Sequence, residues 1–263
     1  AISPMLPGTE VSFMHATVNR NKRSLSIDVR SEEGKNVFLK LGAESDIVVE
    51  NFKVGTMSSY DLGYEDIRKV KPDIVYVSIT GWGQFGPNHE HAGYDPLAQA
   101  ASGFLTVNGS PEGPPTKAGT FLADDLGGLH GAIGAMAALR HRDQTGEGQV
   151  VDIAMTEGSA YLAMACFGLA SSGHWKDERE NNPLDGGAPF WRCYETKDGK
   201  HISLGCVEEK FYNLLMETLD IDPASLPPQL EPESWPESIE LLDGKFKEKT
   251  RDEWCEIMEG TDI

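Results

Sequence analysis

The chain has 263 residues, 39% of them hydrophobic and 25% charged, so it can bury a substantial core as one large or two modest domains. Its net charge of −19 is uneven: residues 1–150 hold 13 basic and 18 acidic side chains, and residues 151–263 hold 10 and 24. Such a surface repels nucleic acid and anionic membranes, and neither a bilayer-length apolar run nor a basic-then-apolar signal is present, which points to a cytoplasmic or organelle-matrix enzyme.

Near the start, Arg20, Lys22 and Arg23 place three cations in four residues beside the strand-like run Leu25–Val29. The cluster either meets phosphates or forms a solvated edge. Asp46–Val49 and Ile74–Ile79 are further β-branched runs that predict buried strands, while Ser31–Leu41 and Gly63–Val70 carry helical spacing. That alternation predicts a parallel α/β sheet. After Ile79 comes Gly81-Trp82-Gly83-Gln84-Phe85-Gly86-Pro87, a glycine loop at the C-terminal end of a strand. Open α/β sheets place ligands there, although a simple tight turn has the same composition.

Tyr94–Phe104 predicts a helix, and Asn108–Lys117 a turn-rich loop. In Gly119–Arg142 two adjacent carboxylates, Asp124 and Asp125, stand where a loop becomes a Gly/Ala-rich helix. Unpaired N–H groups and the positive end of the dipole would keep a carboxylate there ionised and able to act as a nucleophile, and Asp is equally among the best helix caps. Gly127, Gly128, Gly131, Ala132, Gly134 and Ala135 would let another backbone or a ligand approach closely.

Val150–Ala154 predicts a strand and Thr156–Ser171 an apolar helix. The composition changes at about Asn181, which sets a domain boundary near Leu184 between residues 1–184 and 185–263. Beyond it, Phe190–Tyr194 and His201–Leu204 predict short strands. Pro223, Pro227, Pro228, Pro232 and Pro236 interrupt the chain before a helical stretch, Glu237–Met258. Cys166, Cys193, Cys206 and Cys255 are widely spaced without a Cys-x-x-Cys pair, which fits neither a disulfide framework nor a zinc site, and no metal is expected.

Taken in order, Asn19-Arg20-Asn21-Lys22-Arg23-Ser24, Val49-Glu50-Asn51-Phe52, Ser78 to Pro87, Gly93-Tyr94-Asp95, Gly113-Pro114-Pro115-Thr116-Lys117, Ala123-Asp124 and Thr145-Gly146-Glu147-Gly148-Gln149 resemble the family III CoA-transferases. That family includes formyl-CoA and carnitine CoA-transferases and α-methylacyl-CoA racemases. The resemblance implies a large Rossmann-like, CoA-binding parallel-sheet domain with a smaller α+β domain in an interlocked homodimer. Members extend further at both ends, so the chain is expected to be truncated there. An acyl-CoA and a carboxylic acid are the implied substrates, with no tightly bound cofactor. Asp124 matches the catalytic aspartate, and Gly186 and Gly187 match a mobile glycine loop. Asn51 and Phe52 match the pair that holds the adenine of CoA; Arg20, Lys22, Arg23 and Lys53 are the cations offered to its phosphates. For Phe52, a core position at the end of a strand is the other reading.

Transferase chemistry would pass through a covalent aspartyl-CoA thioester on Asp124. The racemase instead exchanges an α-proton between the aspartate and a histidine in Gly-His-Asp. Tyr94 stands at that histidine's position, and a phenol, with an ordinary pKa near 10, is a poor base at neutral pH. This, with Gly113–Lys117 and Ala98–Gly103, resembles the transferase branch. Leu184–Phe190 and Glu208–Tyr212 are similar to the racemases, where Glu208 matches a glutamate that supports the histidine; a plain acid at a helix N-terminus is the alternative for Glu208. Trp82, Phe85, Phe190 and Trp191 either line an apolar acyl pocket or pack. The sequence favours the transferase, with the racemase and a non-catalytic acyl-CoA-binding subunit of a heteromeric transferase as alternatives.

Overall fold

The computed structural model describes residues 3–222 and 225–263, so Pro223 lies outside the described residues. Helices α1 (Phe13–Val18) and α2 (Glu32–Ala43) precede strand β1 (Ile47–Glu50). The short α3 (Thr56–Ser59) and α4 (Tyr64–Ile67) lead to β2 (Val75–Thr80); α5 (Asp95–Ala101) and the long α6 (Leu122–Thr145) lead to β3 (Gln149–Ala154). Then come α7 (Met155–Leu162) and α8 (Met164–Ser171). The three strands form a parallel sheet in the order β1-β2-β3. Central Val75 and Val77 are fully buried, as a parallel strand covered on both faces requires.

Leu25–Val29 forms no strand. The Asp28 carboxylate accepts hydrogen bonds from the backbone N–H and Nε of Arg30, and the Asp28 carbonyl accepts from Ser31. The chain thereby turns into α2, which Ser31 caps. An alternating run becomes a strand only beside a partner, and Leu25 stays exposed here. The helix expected over Thr156–Ser171 is divided at Ala163.

The small residues of α6 serve the sheet. A Cβ on Gly131 would lie 2.9 Å from Ile79 Cδ1, and one on Gly134 would lie 2.6 Å from Val151 Cγ1. Glycine therefore lets the helix axis sit close over β2 and β3. The closely approaching partner is the protein's own sheet.

Beyond residue 184, β4 (Cys193–Glu195) pairs antiparallel with β5 (His201–Ser203), followed by α9 (Glu209–Thr218), α10 (Trp235–Phe246) and α11 (Arg251–Met258). Their own core holds Phe190, Tyr194, Leu215, Leu242, Phe246 and Trp254. Phe190 therefore packs in this core, edge-on to Tyr212 and Trp235, and does not line an acyl pocket. The Tyr194 hydroxyl donates to the Pro189 carbonyl (2.6 Å). Among the described residues the four cysteines are free, and no helix is long and apolar enough to cross a membrane.

Candidate active site

Past Thr80 the glycine loop turns across the C-terminal edge of the sheet. The Gly81 carbonyl accepts from both the backbone N–H (3.1 Å) and the hydroxyl (2.5 Å) of Thr156, at the start of α7. Gly81 and Gly93 cross backbone to backbone, and a Cβ on either would overlap the other's Cα. That crossing fixes where the next residue, Tyr94, begins α5. Tyr94 is 69% exposed at the N-cap position and makes no capping bond.

The first turn of α6 is capped from outside. Phe121 occupies the N-cap position and offers no acceptor. Asp95, only 4% exposed, accepts instead from the Ala123 backbone N–H through Oδ1 (2.7 Å). Its Oδ2 accepts from Gln99 Nε2 (2.7 Å), and Lys117 Nζ stands 4.0 Å away. Capping is therefore a role of neither Asp124 nor Asp125. Both sit inside the first turn of the helix, and no side-chain capping bond is made from its N-cap position.

The Asp124 carboxyl is pushed above its ordinary pKa, first by burial and then by the charges of Asp95 and Asp125. The direction is opposite to the lowering that a helix terminus alone would give. Two carboxylates and partial desolvation outweigh the dipole, and one free N–H of that turn, that of Ala123, is already taken by Asp95.

The other sequence-predicted catalytic residues lie elsewhere in the chain. Gly186, in the left-handed region at φ 97°, lines a cavity of about 840 Å³ with Phe104, Cys166, Trp175, Trp191 and Arg192. Asp124, Tyr94 and Glu208 do not line it. Gly187 packs its backbone against residues 180–182 and donates its N–H to Asp185 Oδ1 (3.1 Å), which anchors the loop at its root. Glu208 precedes α9, exposed, and its side chain caps nothing. Trp191 thus lines a cavity, whereas Phe85 is largely in solvent.

Asn51, Phe52 and Lys53 follow β1 directly and are exposed. At 54% exposure, Phe52 is no core residue. Arg20, Lys22, Arg23 and Lys53 are exposed and form no ion pair among the described residues. No group of three or more His, Cys, Asp or Glu among the described residues is placed to hold a metal ion.

Two residues escaped the sequence reading. Asp95 sat in a quoted motif without a role, because its partner Ala123 is 28 residues away. Glu50 likewise bonds across strands to Ser78, a contact that no local pattern announces.

The sequence profile of CoA-transferase family III matches residues 2–263. The α-methylacyl-CoA racemase of Mus musculus is 38% identical over 244 residues, which are 92% of this chain and 64% of that protein. A succinyl-CoA–L-malate CoA-transferase beta subunit from Chloroflexus aurantiacus is 35% identical over 202 residues, 76% of this chain and 50% of that protein. The chain thus spans less than two thirds of the length of these relatives. A crystal structure of a CAIB/BAIF family protein from Brucella suis superimposes with a TM-score of 0.75 at 30% identity, covering 92% of this chain and 66% of that one. Fold and sequence agree: the chain belongs to CoA-transferase family III.

Proposed function

We propose that the chain is an acyl-CoA:carboxylate CoA-transferase with Asp124 as covalent nucleophile. One observation carries this reading: Asp95 bonds the first turn of α6, which ties the Tyr94–Asp95 segment to the start of the helix that carries Asp124, and residue 94 there is a tyrosine where a proton-exchanging enzyme needs a second base. Asp124, free of any capping duty and made more basic by partial burial and then by the charges of Asp95 and Asp125, suits nucleophilic attack.

In the first step an Asp124 oxygen attacks the donor thioester carbonyl, the C–S bond breaks, and CoA leaves as thiolate with a mixed anhydride behind it. The thiolate then attacks the aspartyl carbonyl, which frees the donor carboxylate and leaves an aspartyl-CoA thioester. An acceptor carboxylate attacks that thioester, the thiolate departs again, and it takes the acyl group from the new anhydride, restoring Asp124. Asn51 and Phe52 hold the adenine, while Arg20, Arg23 and Lys53 face the phosphates; their exposed, unpaired state supports this. Gly186 and Gly187 close over the acyl group and Glu208 flanks it. Because Asp124 does not line the Gly186 cavity, a second, interlocked copy is the proposed source of that loop. Separate cores above and below residue 184 support two domains, 1–184 and 185–263.

The test mixes the protein with an acyl-CoA and a free carboxylate. CoA transfer, with hydroxylamine trapping at Asp124, is the expected result. The likeness to the racemase gives a second reading: exchange of α-deuterium in a 2-methylacyl-CoA without movement of CoA would establish it. The likeness to a beta subunit gives the third, in which CoA binding survives Asp124→Asn and the unaltered chain does not turn over. Sedimentation reads the assembly.

A further inference from the structure

The C-terminal edge of the parallel sheet carries a row of polar side chains. Glu50 of β1 stands in register with Ser78 of β2, and Ser78 with Asp152 of β3. In-register neighbours share a face, so the three side chains form one line across the strands. Gln84 of the glycine loop closes over it. Its backbone N–H donates to the two Asp152 oxygens (3.2 and 3.0 Å), and its Nε2 donates to Ser78 Oγ (2.8 Å). Ser78, 2% exposed, passes its single hydroxyl proton to Glu50 Oε1. Glu50 Oε2 accepts from the Phe52 backbone N–H (2.7 Å).

The direction of this chain is fixed by chemistry. An amide N–H can only donate, so the serine oxygen must accept from Gln84 and give its proton onward. Only a carboxylate can then take both Ser78 and Phe52 on separate oxygens. Two loops that share no strand are thereby tied together: Asn51–Lys53 after β1 and Gly81–Gly86 after β2. Phe52 is exposed, so its anchoring comes from its backbone N–H rather than from packing of its ring.

We infer that Glu50 is a positioning residue for the nucleotide end of CoA, holding Phe52 and the glycine loop as one preorganised surface through Ser78 and Gln84. The inference rests on the CoA reading above and adds to it a residue and a coupling. Preorganisation lowers the ordering cost of binding, so loss of the carboxylate weakens the nucleotide contact without touching the pantetheine arm.

Calorimetry with CoA, with adenosine 3′,5′-bisphosphate and with pantetheine, alongside hydrogen exchange of residues 51–53 and 81–86, tests it on Glu50→Ala, Glu50→Gln and Ser78→Ala. Glu50→Ala is expected to weaken CoA and the bisphosphate by about tenfold each, the worth of a hydrogen bond to a charged group, and to leave pantetheine unchanged. Glu50→Gln, isosteric but with one acceptor oxygen instead of two, falls between and carries the test if Glu50→Ala does not fold. Ser78→Ala keeps the Glu50–Phe52 bond yet is expected to speed exchange in both loops together. Parental bisphosphate affinity in Glu50→Ala or Glu50→Gln, or faster exchange confined to residues 81–86 in Ser78→Ala, overturns the inference alone. If the unaltered chain binds neither CoA nor the bisphosphate, the CoA reading falls and takes this role with it.

Discussion

Replacing Asp95 separates two contributions of one carboxylate to the candidate nucleophile. In Asp95→Ala the Ala123 N–H and the Gln99 side-chain amide, both buried, lose their acceptors. Each orphaned donor costs about 1–3 kcal/mol, and removal of a buried carboxylate with its nearest cation at 4.0 Å returns part of this, for a net loss of about 2–4 kcal/mol. Asp95→Asn behaves differently. Its oxygen still accepts from Ala123, and its new N–H groups meet Gln99, whose Oε1 is buried without a partner. A flip of the Gln99 amide then pairs Oε1 with the new N–H and leaves Nε2 where the unpartnered Oε1 had been, so one buried orphan replaces another and the cost stays about 1–2 kcal/mol, below that of Asp95→Ala. The charge is nevertheless gone, and the Asp124 titration moves down toward the ordinary carboxylate range because one of its raising causes is removed. Urea unfolding gives the stabilities, and carboxyl-carbon NMR, with Asp124→Asn to assign the resonance, gives the titration. Equal destabilisation by the two substitutions would refute the capping role, and an unmoved Asp124 midpoint in Asp95→Asn would refute the electrostatic one.

Asp124 itself opposes stability at neutral pH. Its carboxyl titrates higher folded than unfolded, so its contribution is fully present below the unfolded value and lost as pH rises through the folded one. Asp124→Asn is therefore expected to melt higher than the parent at pH 7, the difference closing below about pH 4, while transfer activity disappears. Asp198 has the opposite sign: the Thr196 hydroxyl, then the Arg251 backbone N–H and Lys200, hold it well below the usual carboxylate range. Its stabilisation is present above the unfolded value and lost on acidification, so Asp198→Ala is expected to lower the melting temperature at pH 7 and to converge with the parent as pH falls below about 4. Gly81→Ala forces its crossing with Gly93 apart, at about 1–3 kcal/mol, and should depress activity more than stability because Gly93 sets Tyr94. Phe190→Ala empties a fully buried position between Tyr212 and Trp235 and is expected to cost about 3–5 kcal/mol in urea unfolding.

What the sequence disclosed was the part of the fold decided locally. The runs at residues 47–50, 75–80 and 149–154 are β-branched and pair with one another, so pattern and structure coincide. Leu25–Val29 has the same pattern but no neighbouring strand, and Asp28 bends it away. The short α1 and α3 carry too few residues to show a period. At the candidate site Asp124 was legible by composition and place. Its cap was not, because Asp95 reaches it across 28 residues, and a long-range bond leaves no mark on spacing.

The glycines of α6 connect these observations. A helix with larger residues at 127, 131 and 134 would ride farther from Ile79 and Val151, and its first turn would stand away from the sheet edge. Drawn close, that turn comes within reach of a carboxylate from α5, so the cap can be supplied by a different element. A helix capped by its own aspartate uses that side chain up; one capped in this way leaves the aspartate in its first turn with a lone pair to spend. Close helix–sheet packing is therefore a precondition for the proposed chemistry at Asp124, and bulk placed at Gly131, about two turns further along the same helix and against Ile79, should reach the nucleophile by lifting α6 off β2.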